Sequence, residues 1–340
     1  MTGYAIEKIY FEHIMSPEHP ESPKRLAVIK KVLESYDYPE KLRKISARLA
    51  TEEEVLLIHV KEYYDRIAQT KGREVYLDPD TSTSAKSFEA ALYAAGGVLS
   101  LIDAVFNKEI ENGFAFVRPP GHHAEKDKAM GFCLFNNVAI GAAYALKKYN
   151  LNRILILDFD LHHGNGTQQA FYNSDKVMYI STHQYPYYPG TGSFAEVGEG
   201  KGEGYNLNFP LSAGADDEFY NNIYAKIILP IARKYKPELV LVSAGFDIYY
   251  QDPLGGMKVT EKGFLELTQL IMDMASRNSQ KRAVFTLEGG YNLEGIKGGV
   301  KACLDGLSHS GGERPQGAPN NAFEQYYKLA KQHFQMFWSF

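Results

Sequence analysis

The chain has 340 residues, a formal net charge of −4 and 44% hydrophobic residues, values that are ordinary for a soluble globular protein. Its two cysteines cannot build a disulfide framework or a four-thiolate zinc site, and the mildly acidic balance gives no basic field for nucleic acid. We expect no apolar run of about 18 residues that could span a membrane. We also expect no secretory leader, because Glu7 and Lys8 interrupt the first ten residues. These features favour a reduced, cytoplasmic compartment.

Apolar runs rich in β-forming residues alternate with helical patterns along the chain. In chain order, the patterns predict a strand at 113–117, a helix at 134–149, a strand at 153–158, a short helix at 167–172, a strand at 177–182, a helix at 216–235, a strand at 239–243, a helix at 260–276 capped by Thr260, a strand at 282–287 and a helix at 293–307. This alternation favours an α/β fold with a central, mostly parallel sheet and helices on both faces.

Three segments lie outside this alternation. Residues 183–204 are rich in Gly, Pro and Tyr, which predicts a functional surface loop. Residues 308–321 are linker-like, and residues 323–340 predict an aromatic helix packed on the domain. No break in composition divides the first 307 residues. We therefore predict one domain over residues 1–307, with a linker and a C-terminal helix of the same domain over residues 308–340.

Four predicted strands end in polar segments that contain glycine. The segments are RPPGHH (118–123), DFDLHHGNG (158–166), SAGFD (243–247) and LEGGYN (287–292). Active sites of open parallel sheets collect at the carboxyl ends of the strands. We therefore expect these four segments to converge on one site.

The second of these segments has the spacing of a metal site. Asp158, Asp160 and His162 are two residues apart, so an extended chain points them to the same side. Carboxylates and imidazole suit a borderline cation such as zinc, and Asp247 is the best candidate for a third ligand. Burying these groups unpaired would cost on the order of several kcal/mol. The pattern therefore favours a metal with an open position over a buried Asp–His pair.

The other segments offer groups for acid–base and electrostatic work. His122 and His123 follow a rigid Pro-Pro-Gly turn and could act as general base and acid beside a cation. Gly289 and Gly290 allow a close backbone approach, so the hydroxyl of Tyr291 could donate to a developing oxyanion. The structural alternatives are two surface histidines on a turn and a tyrosine that anchors a turn.

Taken together, these motifs resemble the zinc-dependent histone deacetylase superfamily. The resemblance runs from HPESPKRL (19–26) to about Leu307 and includes RPPGHHA, GFCLFNN, DFDLHHGNGTQ, SAGFD, DPLGG and EGGYN in this order. It points to the class II-like branch, with bacterial histone deacetylase-like amidohydrolases and acetylpolyamine amidohydrolases. It implies an arginase-deacetylase fold, with residues 1–307 as the catalytic domain. It also implies removal of acetyl or other short acyl groups from acyl-lysine side chains, with acetylpolyamine hydrolysis as the alternative.

The resemblance also implies roles for individual residues. Asp160, His162 and Asp247 would hold Zn²⁺, which Fe²⁺ could replace. His123 would be the general base and then the acid, with His122 as its electrostatic partner, and Tyr291 would donate to the oxyanion. Behind them, Asp158 would support His122. Asn165 would be a neutral partner of His123, which lowers the pKa of this imidazole relative to one paired with Asp.

Further implied sites concern monovalent ions and the substrate. A structural K⁺ or Na⁺ would lie near Asp158, Asp160, His162, Ser181 and Thr182, and a second one near Phe171, Ser174, Val177 and Tyr205. Phe132 and Tyr188 would be the walls of an acyl-lysine tunnel, with Gly131 between them and the metal and Leu254 at its gate. Polyamine-selective relatives carry Glu at this gate. The apolar Leu254 therefore favours acyl-lysine in a peptide, although Glu125 or Glu89 could supply an acid instead.

Two other function classes stay open at this point. An arginase-type ureohydrolase needs more carboxylates than residues 162–165 supply. A non-enzymatic module that binds acyl-lysine is opposed by the intact ligand and catalytic residues. The remaining singled-out residues have structural interpretations: buried for Cys133 and Cys303, hydrogen-bonded for His13, His19 and His59, and structural for His163. The segment 185–188 is interpreted as a substrate rim or as a contact in a homo-oligomer.

Overall fold

The computed structural model describes residues 1–308 and 321–340. The strands in these residues are β1 (Thr2–Ala5), β2 (Leu42–Lys44), β3 (Val75–Tyr76), β4 (Ser82–Thr83), β5 (Asn112–Ala115), β6 (Ile154–Asp158), β7 (Val177–Gln184), β8 (Asn206–Leu211), β9 (Leu239–Ala244) and β10 (Ala283–Leu287). Eight of them form one sheet in the order β2-β1-β5-β10-β9-β6-β7-β8, in which every neighbouring pair is parallel. β3 and β4 form a separate antiparallel ribbon.

Helices cover this sheet. They are α1 (Pro23–Glu34), α2 (Glu52–Val55), α3 (Lys61–Ala68), α4 (Ser87–Phe106), α5 (Asn137–Lys148), α6 (Asn165–Phe171), α7 (Asp217–Ile223), α8 (Leu229–Tyr235), α9 (Glu261–Asn278), α10 (Leu293–Ser308) and α11 (Asn321–Phe334). Short 3₁₀ segments occur at Lys8–Glu12, Pro39–Lys41 and Gly200–Gly202. The predicted α/β fold with a mostly parallel sheet in a single domain is confirmed.

The central strands explain why the site lies where it does. Every residue of β6 is fully buried, which is the expected state of an apolar strand in a parallel sheet covered on both faces. In the register of the sheet, Asp158 at the end of β6 lies opposite Ser181 on β7 and Ser243 on β9. Leu287, the last residue of β10, pairs with Ala244 of β9. The polar segments that follow these strands therefore start side by side at one edge of the sheet.

The N-terminal third contains elements that the sequence patterns did not predict. β1 and β2 have four and three residues, which is too short for a clear alternation. The helix α4 is long and apolar enough to cross a membrane by length and composition, and 83% of its apolar window is buried inside the protein. The expectation that no such apolar run exists was therefore wrong. The apolar residues of α4 pack against α5 and β5 in the core.

Several predicted boundaries also differ. The predicted helix at 216–235 consists of α7, a π-helical segment (Tyr224–Ile228) and α8. Pro230, which lacks a backbone N–H, is the second residue of α8 and lies two residues after the end of the π segment. Thr260 precedes α9, yet its hydroxyl donates to Asp217 Oδ2 (2.6 Å) and does not cap the helix. Strand β7 runs on to Gln184, so the predicted loop begins two residues later than expected.

The C-terminal segment contacts the rest of the protein through Phe323 and Phe334, whose rings lie against Phe219 and Phe194. The predicted linker falls mainly on residues 309–320, which lie outside the described residues. The helix α11 ends at Phe334 and is therefore shorter than predicted. Its Phe323 and Phe334 are buried, and Trp338 Nε1 donates to the carbonyl oxygen of Gly204 (2.6 Å).

Candidate metal centre and active site

Three predicted metal ligands come together past the ends of two neighbouring strands. Asp160 and His162 follow β6, and Asp247 follows β9. His162 Nδ1 lies 3.2 Å from Asp160 Oδ1 and 3.2 Å from Asp247 Oδ2. One ligand atom from each residue lies within 4.8 Å of the others. In the part of the chain that the structure describes, this is the group of His, Cys, Asp and Glu residues that could hold a metal ion.

Backbone donors orient both carboxylates toward His162. Gly289 N donates to Asp160 Oδ2 (2.7 Å), and Leu161 N donates to Asp247 Oδ1 (2.9 Å). The other oxygen of each carboxylate therefore faces His162 Nδ1. A Cβ at position 289 would collide with both carboxylates, so only glycine allows this approach.

The charges of the triad call for a cation. Both carboxylates are fully buried. Burial and the neighbouring Asp160 raise the pKa of Asp247 to about 7. Burial also tends to raise the pKa of Asp160, but the neighbouring His122 and His162 hold this pKa below its ordinary value. Two buried carboxylates with oxygens within 4.8 Å of one another cannot both stay ionised without a compensating positive charge. Two carboxylate oxygens and one imidazole nitrogen are ligands that suit a divalent ion. The residues present fit a metal of the zinc type.

The protonation of His123 is set by a chain of two hydrogen bonds. Asn165 Nδ2 donates to Glu125 Oε1 (2.7 Å), so the amide oxygen of Asn165 faces His123. His123 Nδ1 lies 2.8 Å from this oxygen and must donate to it. The neutral ring therefore keeps its lone pair on Nε2. Burial, with His122 and His162 nearby, holds the pKa of His123 well below its ordinary value. This imidazole is a neutral base at physiological pH.

His122 is the charged member of the pair. Its Nδ1 lies 3.1 Å from Asp158 Oδ2, and its Nε2 lies 3.8 Å from Asp160 Oδ1. Burial disfavours the imidazolium, but Asp160 and Asp158 outweigh it and raise the pKa of His122 to about 10. The ring centroids of His122 and His123 are 4.0 Å apart. A fixed positive charge therefore lies next to the neutral base.

Glu288 joins three of the loops and was missed by the sequence analysis. Its Oε2 accepts hydrogen bonds from Gly121 N (2.7 Å) and His122 N (3.2 Å), and its Oε1 accepts one from Ser243 Oγ (3.0 Å). The side chain is fully buried, and burial raises its pKa to about 7. The available signal was an acid placed directly after the apolar strand β10, much as Asp158 ends the apolar strand β6.

A second missed group holds the loop that carries Tyr291. Arg25 on α1 donates to the carbonyl oxygens of Gly289 (2.8 Å) and Gly290 (2.7 Å), and its guanidinium lies 5.4 Å from the centroid of the Tyr291 ring. Glu21 accepts hydrogen bonds from both Arg25 and Arg118. All three charged side chains are buried. They connect the segment 19–26, the loop after β5 and the loop after β10.

The catalytic groups lie in one cavity of about 270 Å³. It brings together the predicted residues His122, His123, Gly131, Phe132, His162, Tyr188, Leu254 and Tyr291, and also Asp80 and Tyr187. The suggestion that Glu125 or Glu89 supplies an acid here was wrong. Neither lines the cavity, because Glu125 accepts from Asn165 and Glu89 pairs with Lys86 (2.9 Å).

Aromatic side chains form the walls of this cavity. The Phe132 ring meets the Tyr291 ring edge to face, with centroids 5.9 Å apart, and the Tyr188 ring meets His123 in the same way at 5.2 Å. Gly131 has φ +56°, and a Cβ at this position would run into the His123 ring. The close approach of the segment that carries Phe132 to the His123 ring therefore depends on glycine at residue 131.

The residues expected to bind monovalent cations form two groups. In the first, Thr182 Oγ1 donates to the carbonyl oxygen of Asp158 (3.4 Å), at the ends of β7 and β6. In the second, the carbonyl oxygen of Phe171 accepts from Ser174 N (2.9 Å), and that of Tyr205 accepts from Tyr179 N (2.9 Å). Their role in ion binding stays a prediction.

The remaining singled-out residues have structural surroundings. Cys133 and Cys303 are free and buried, and burial raises the pKa of both thiols, that of Cys303 to about 12. Nucleophilic thiolates are not formed under these conditions. His59 Nδ1 lies 2.9 Å from the carbonyl oxygen of Glu125, and His163 Nδ1 lies 2.7 Å from Thr191 Oγ1. Likewise, His13 Nδ1 lies 2.7 Å from a serine hydroxyl, and His19 Nε2 lies 3.2 Å from a carbonyl oxygen.

Comparison with known proteins agrees with this geometry. The model of the histone deacetylase domain matches residues 19–307. This chain belongs to the histone deacetylase domain family. It is therefore a hydrolase with deacetylase chemistry on amides. The match includes the segment 19–26 and the loops after β5, β6, β9 and β10.

Individual relatives extend the match over nearly the whole chain. A probable deacetylase of Archaeoglobus fulgidus is 40% identical over 93% of this chain and 89% of the relative. The polyamine deacetylase HDAC10 of Danio rerio is 40% identical over 83% of this chain, which spans only 43% of that protein. The crystal structure of the HDA15 HD domain superposes with a TM-score of 0.92 at 36% identity, covering 99% of this chain and 95% of that one. The residues that the structure describes thus have the deacetylase fold.

Proposed function

We propose that this enzyme is a zinc-dependent deacetylase that removes acetyl, or another short acyl group, from lysine side chains in peptides. One observation carries the proposal: His162, the imidazole of the triad, lines one cavity together with His123, Tyr291 and the aromatic walls Phe132 and Tyr188. The acyl-lysine side chain is a long apolar stem that ends in an amide. Apolar walls suit the stem, and the polar groups between them suit the amide.

Each polar group has a defined task in amide hydrolysis. Zinc held by Asp160, His162 and Asp247 would supply a Lewis acid for the carbonyl oxygen and a bound water with a pKa of about 7. His123 Nε2 takes a proton from the attacking water, because its Nδ1–H is committed to Asn165. The hydroxyl of Tyr291 donates to the oxyanion. His123 then returns the proton to the departing amine, so the products are a short carboxylic acid and a free amine.

The choice of ions is part of the proposal. The donor set of two carboxylates and one imidazole supports Zn²⁺, with Fe²⁺ as the alternative, because ligand type alone does not choose between them. We also propose a structural K⁺ or Na⁺ near Asp158, Ser181 and Thr182, supported by the carbonyl and hydroxyl oxygens that lie together there. A second such ion is proposed at Phe171, Ser174, Val177 and Tyr205.

An acetylated polyamine is the second candidate substrate. Asp80 lines the cavity, and its carboxylate could face the distal ammonium of such a substrate. Leu254, however, lines the same cavity as an apolar gate and offers no charge to an ammonium. The acyl-lysine side chain of a peptide, unlike an acetylated polyamine, carries no free ammonium that would need a counter-charge in the cavity. The acyl-lysine peptide is therefore the preferred substrate.

The decisive experiment compares kcat/KM for an acetyl-lysine peptide and for acetylspermidine, with added zinc and potassium. Wild type should prefer the peptide. Leu254→Glu should move the preference toward acetylspermidine, whereas Leu254→Gln, which has the same shape without the charge, should not. A wild-type preference for acetylspermidine would favour the second candidate. A metal-loaded protein that binds a hydroxamate but turns over neither substrate would instead be an acyl-lysine-binding module.

We further propose a cytoplasmic location. Cys133 and Cys303 are both free, as expected in a reducing compartment. Acylated peptides or small acylated amines are the proposed partners. Absence of nucleic-acid and membrane partners, and a homo-oligomer formed through the segment 185–188, stay predictions.

A further inference from the structure

A second cleft, of about 550 Å³, lies beside the catalytic cavity. Its walls come from α3 and the segment after it, from β3 and Leu77, and from residues 127–129. None of these elements supplies a catalytic group. The cleft is therefore a separate feature with its own chemistry.

The cleft is basic. Arg66, Arg73 and Lys128 line it, against the single carboxylate of Asp127. Arg66 donates to the backbone carbonyl oxygen of Asp127, and its guanidinium lies 5.1 Å from the centroid of the Tyr63 ring. Among the residues that the structure describes, none of the three cations has an ion-pair partner. Their charge is thus available to a ligand.

Two chain segments form walls of both the cleft and the catalytic cavity. Leu77 lines the cleft, and Asp80, three residues further on, lines the cavity. Ala129 lines the cleft, and Gly131 lines the cavity. The segments are tied together, since Phe132 N donates to Thr81 Oγ1 (3.0 Å). The cavity and the cleft therefore have neighbouring walls, and a peptide that leaves the cavity over these segments would reach the cleft.

We propose that this cleft binds an acidic side chain of the peptide substrate, on one side of the acyl-lysine. The proposal rests on the proposed function, because the cavity accepts one side chain and leaves the peptide main chain at the rim. A Glu or Asp of the peptide would meet three cations, whereas a Lys or Arg would be repelled. The acid Asp80 lies on the cavity side of the shared wall, so a carboxylate is favoured on the cleft side only.

The test uses one acetyl-lysine peptide with Glu, Gln or Lys placed at each flanking position in turn. Full-length, metal-loaded enzyme should give kcat/KM values that fall in the order Glu, Gln, Lys on one side, with roughly three- to tenfold between Glu and Gln, the scale of one or two exposed ion pairs. At about 0.5 M salt this ratio should shrink, because exposed charges are screened. Equal values for all peptides on both sides would overturn the proposal.

A charge-matched pair of variants assigns the preference to the cleft. Arg66→Gln, Arg73→Gln and Lys128→Gln combined should abolish the preference for Glu while leaving kcat/KM for the Gln peptide near that of wild type. The control is Lys8→Gln, Lys30→Gln and Lys44→Gln combined, which removes the same charge from another groove of about 520 Å³. The control should keep the preference. A preference kept by the first variant, or lost equally by both, would contradict the proposal.

A binding measurement separates this proposal from the proposed function. Fluorescence polarisation of the labelled Glu and Lys peptides gives their Kd values without turnover. The Glu peptide could bind more tightly, in a way that depends on the three cations, while no peptide is turned over. This result would support the binding role of the cleft and reject the deacylation of peptides. Turnover that is the same for every flanking residue would reject the cleft and keep the deacylation.

Discussion

Glu125 accepts a 2.7 Å hydrogen bond from Asn165 Nδ2 and thereby decides which nitrogen of His123 is free. The carboxylate can only accept, so the amide group must turn its NH₂ toward it. The amide oxygen then faces His123 and takes the proton on Nδ1. A residue outside the cavity thus orients the base inside it.

Replacing the neutral partner of His123 by an acid should change the pH dependence of catalysis. In Asn165→Asp combined with Glu125→Gln, a carboxylate accepts from His123 Nδ1 and favours the imidazolium. The pKa of His123 should rise, and the acid limb of the kcat/KM profile should move to higher pH by about 1 unit or more. Activity requires the neutral base, so it is lost as pH falls through this pKa. Glu125→Gln alone is the control, and a double variant with an unshifted acid limb would contradict the assignment of His123 as the base.

Tyr291→Phe should lower kcat by about 10²–10³, the usual scale for losing one oxyanion donor. Steady-state kinetics measure the loss, and metal analysis should find the same content as in wild type. The matched control is Tyr187→Phe, because Tyr187 lines the same cavity but its hydroxyl donates to the carbonyl oxygen of Leu254 (3.0 Å). Its kcat should stay within a few-fold of wild type, roughly the effect of one exposed hydrogen bond. Near-normal turnover of Tyr291→Phe would remove this hydroxyl from the reaction.

His162→Ala and Asp247→Ala should each lose the bound metal together with activity, because each removes one of three ligands. Elemental analysis of the purified variants measures the occupancy. His163→Gln is the control, since its ring contacts Thr191 Oγ1 and Gln168 Oε1 and does not face the triad. Full zinc occupancy in both ligand variants would show that the ligands are assigned wrongly.

The buried ion pairs of Glu21 with Arg25 and Arg118 should stabilise the protein at neutral pH but not in acid. Burial disfavours the carboxylate, but Arg118 and Arg25 outweigh it and lower the pKa of Glu21 from 4.5 to about 2. Because the pKa of Glu21 is lower in the folded than in the unfolded protein, the ionised carboxylate stabilises the folded state. This contribution, on the order of 3 kcal/mol, is fully present above about pH 4.5 and is lost as pH falls toward 2. Glu21→Gln should therefore be destabilised at pH 7 by about 3–5 kcal/mol, since two buried guanidinium groups lose their partner.

Urea denaturation at several pH values checks this expectation. The difference in the free energy of unfolding between wild type and Glu21→Gln should shrink steadily below pH 4.5. Glu54→Gln is the control, because Glu54 pairs with the partly exposed Arg48 and should change the free energy of unfolding by less than about 1 kcal/mol. A difference for Glu21→Gln that stays constant down to pH 2.5 would contradict the shifted pKa.

Local patterns in the sequence were sufficient for the centre of the fold. The run RILILD has five buried residues in a row, and such a run records burial on both faces of a strand wherever it occurs. The spacing of Asp158, Asp160 and His162 likewise depends on neighbouring residues only. The helix α4 shows the opposite case, because its apolar residues suit a membrane as well as a core, and only the packing of α5 and β5 around it identifies the core.

The framework behind the site depends on contacts between distant parts of the chain. Arg25 contacts the loop at residues 288–290, and Glu288 contacts residues 121 and 122. Asn165 selects the tautomer of His123 only because Glu125 lies on its other side. Hydrogen bonds of this kind produce no periodic pattern or fixed spacing in the sequence. They depend on which loops meet in space, and not on how far apart the loops lie along the chain. The residues that carry the chemistry can therefore be recognised in the sequence. Their orientation and protonation depend on the order of the parallel strands in the sheet, because this order decides which loops meet.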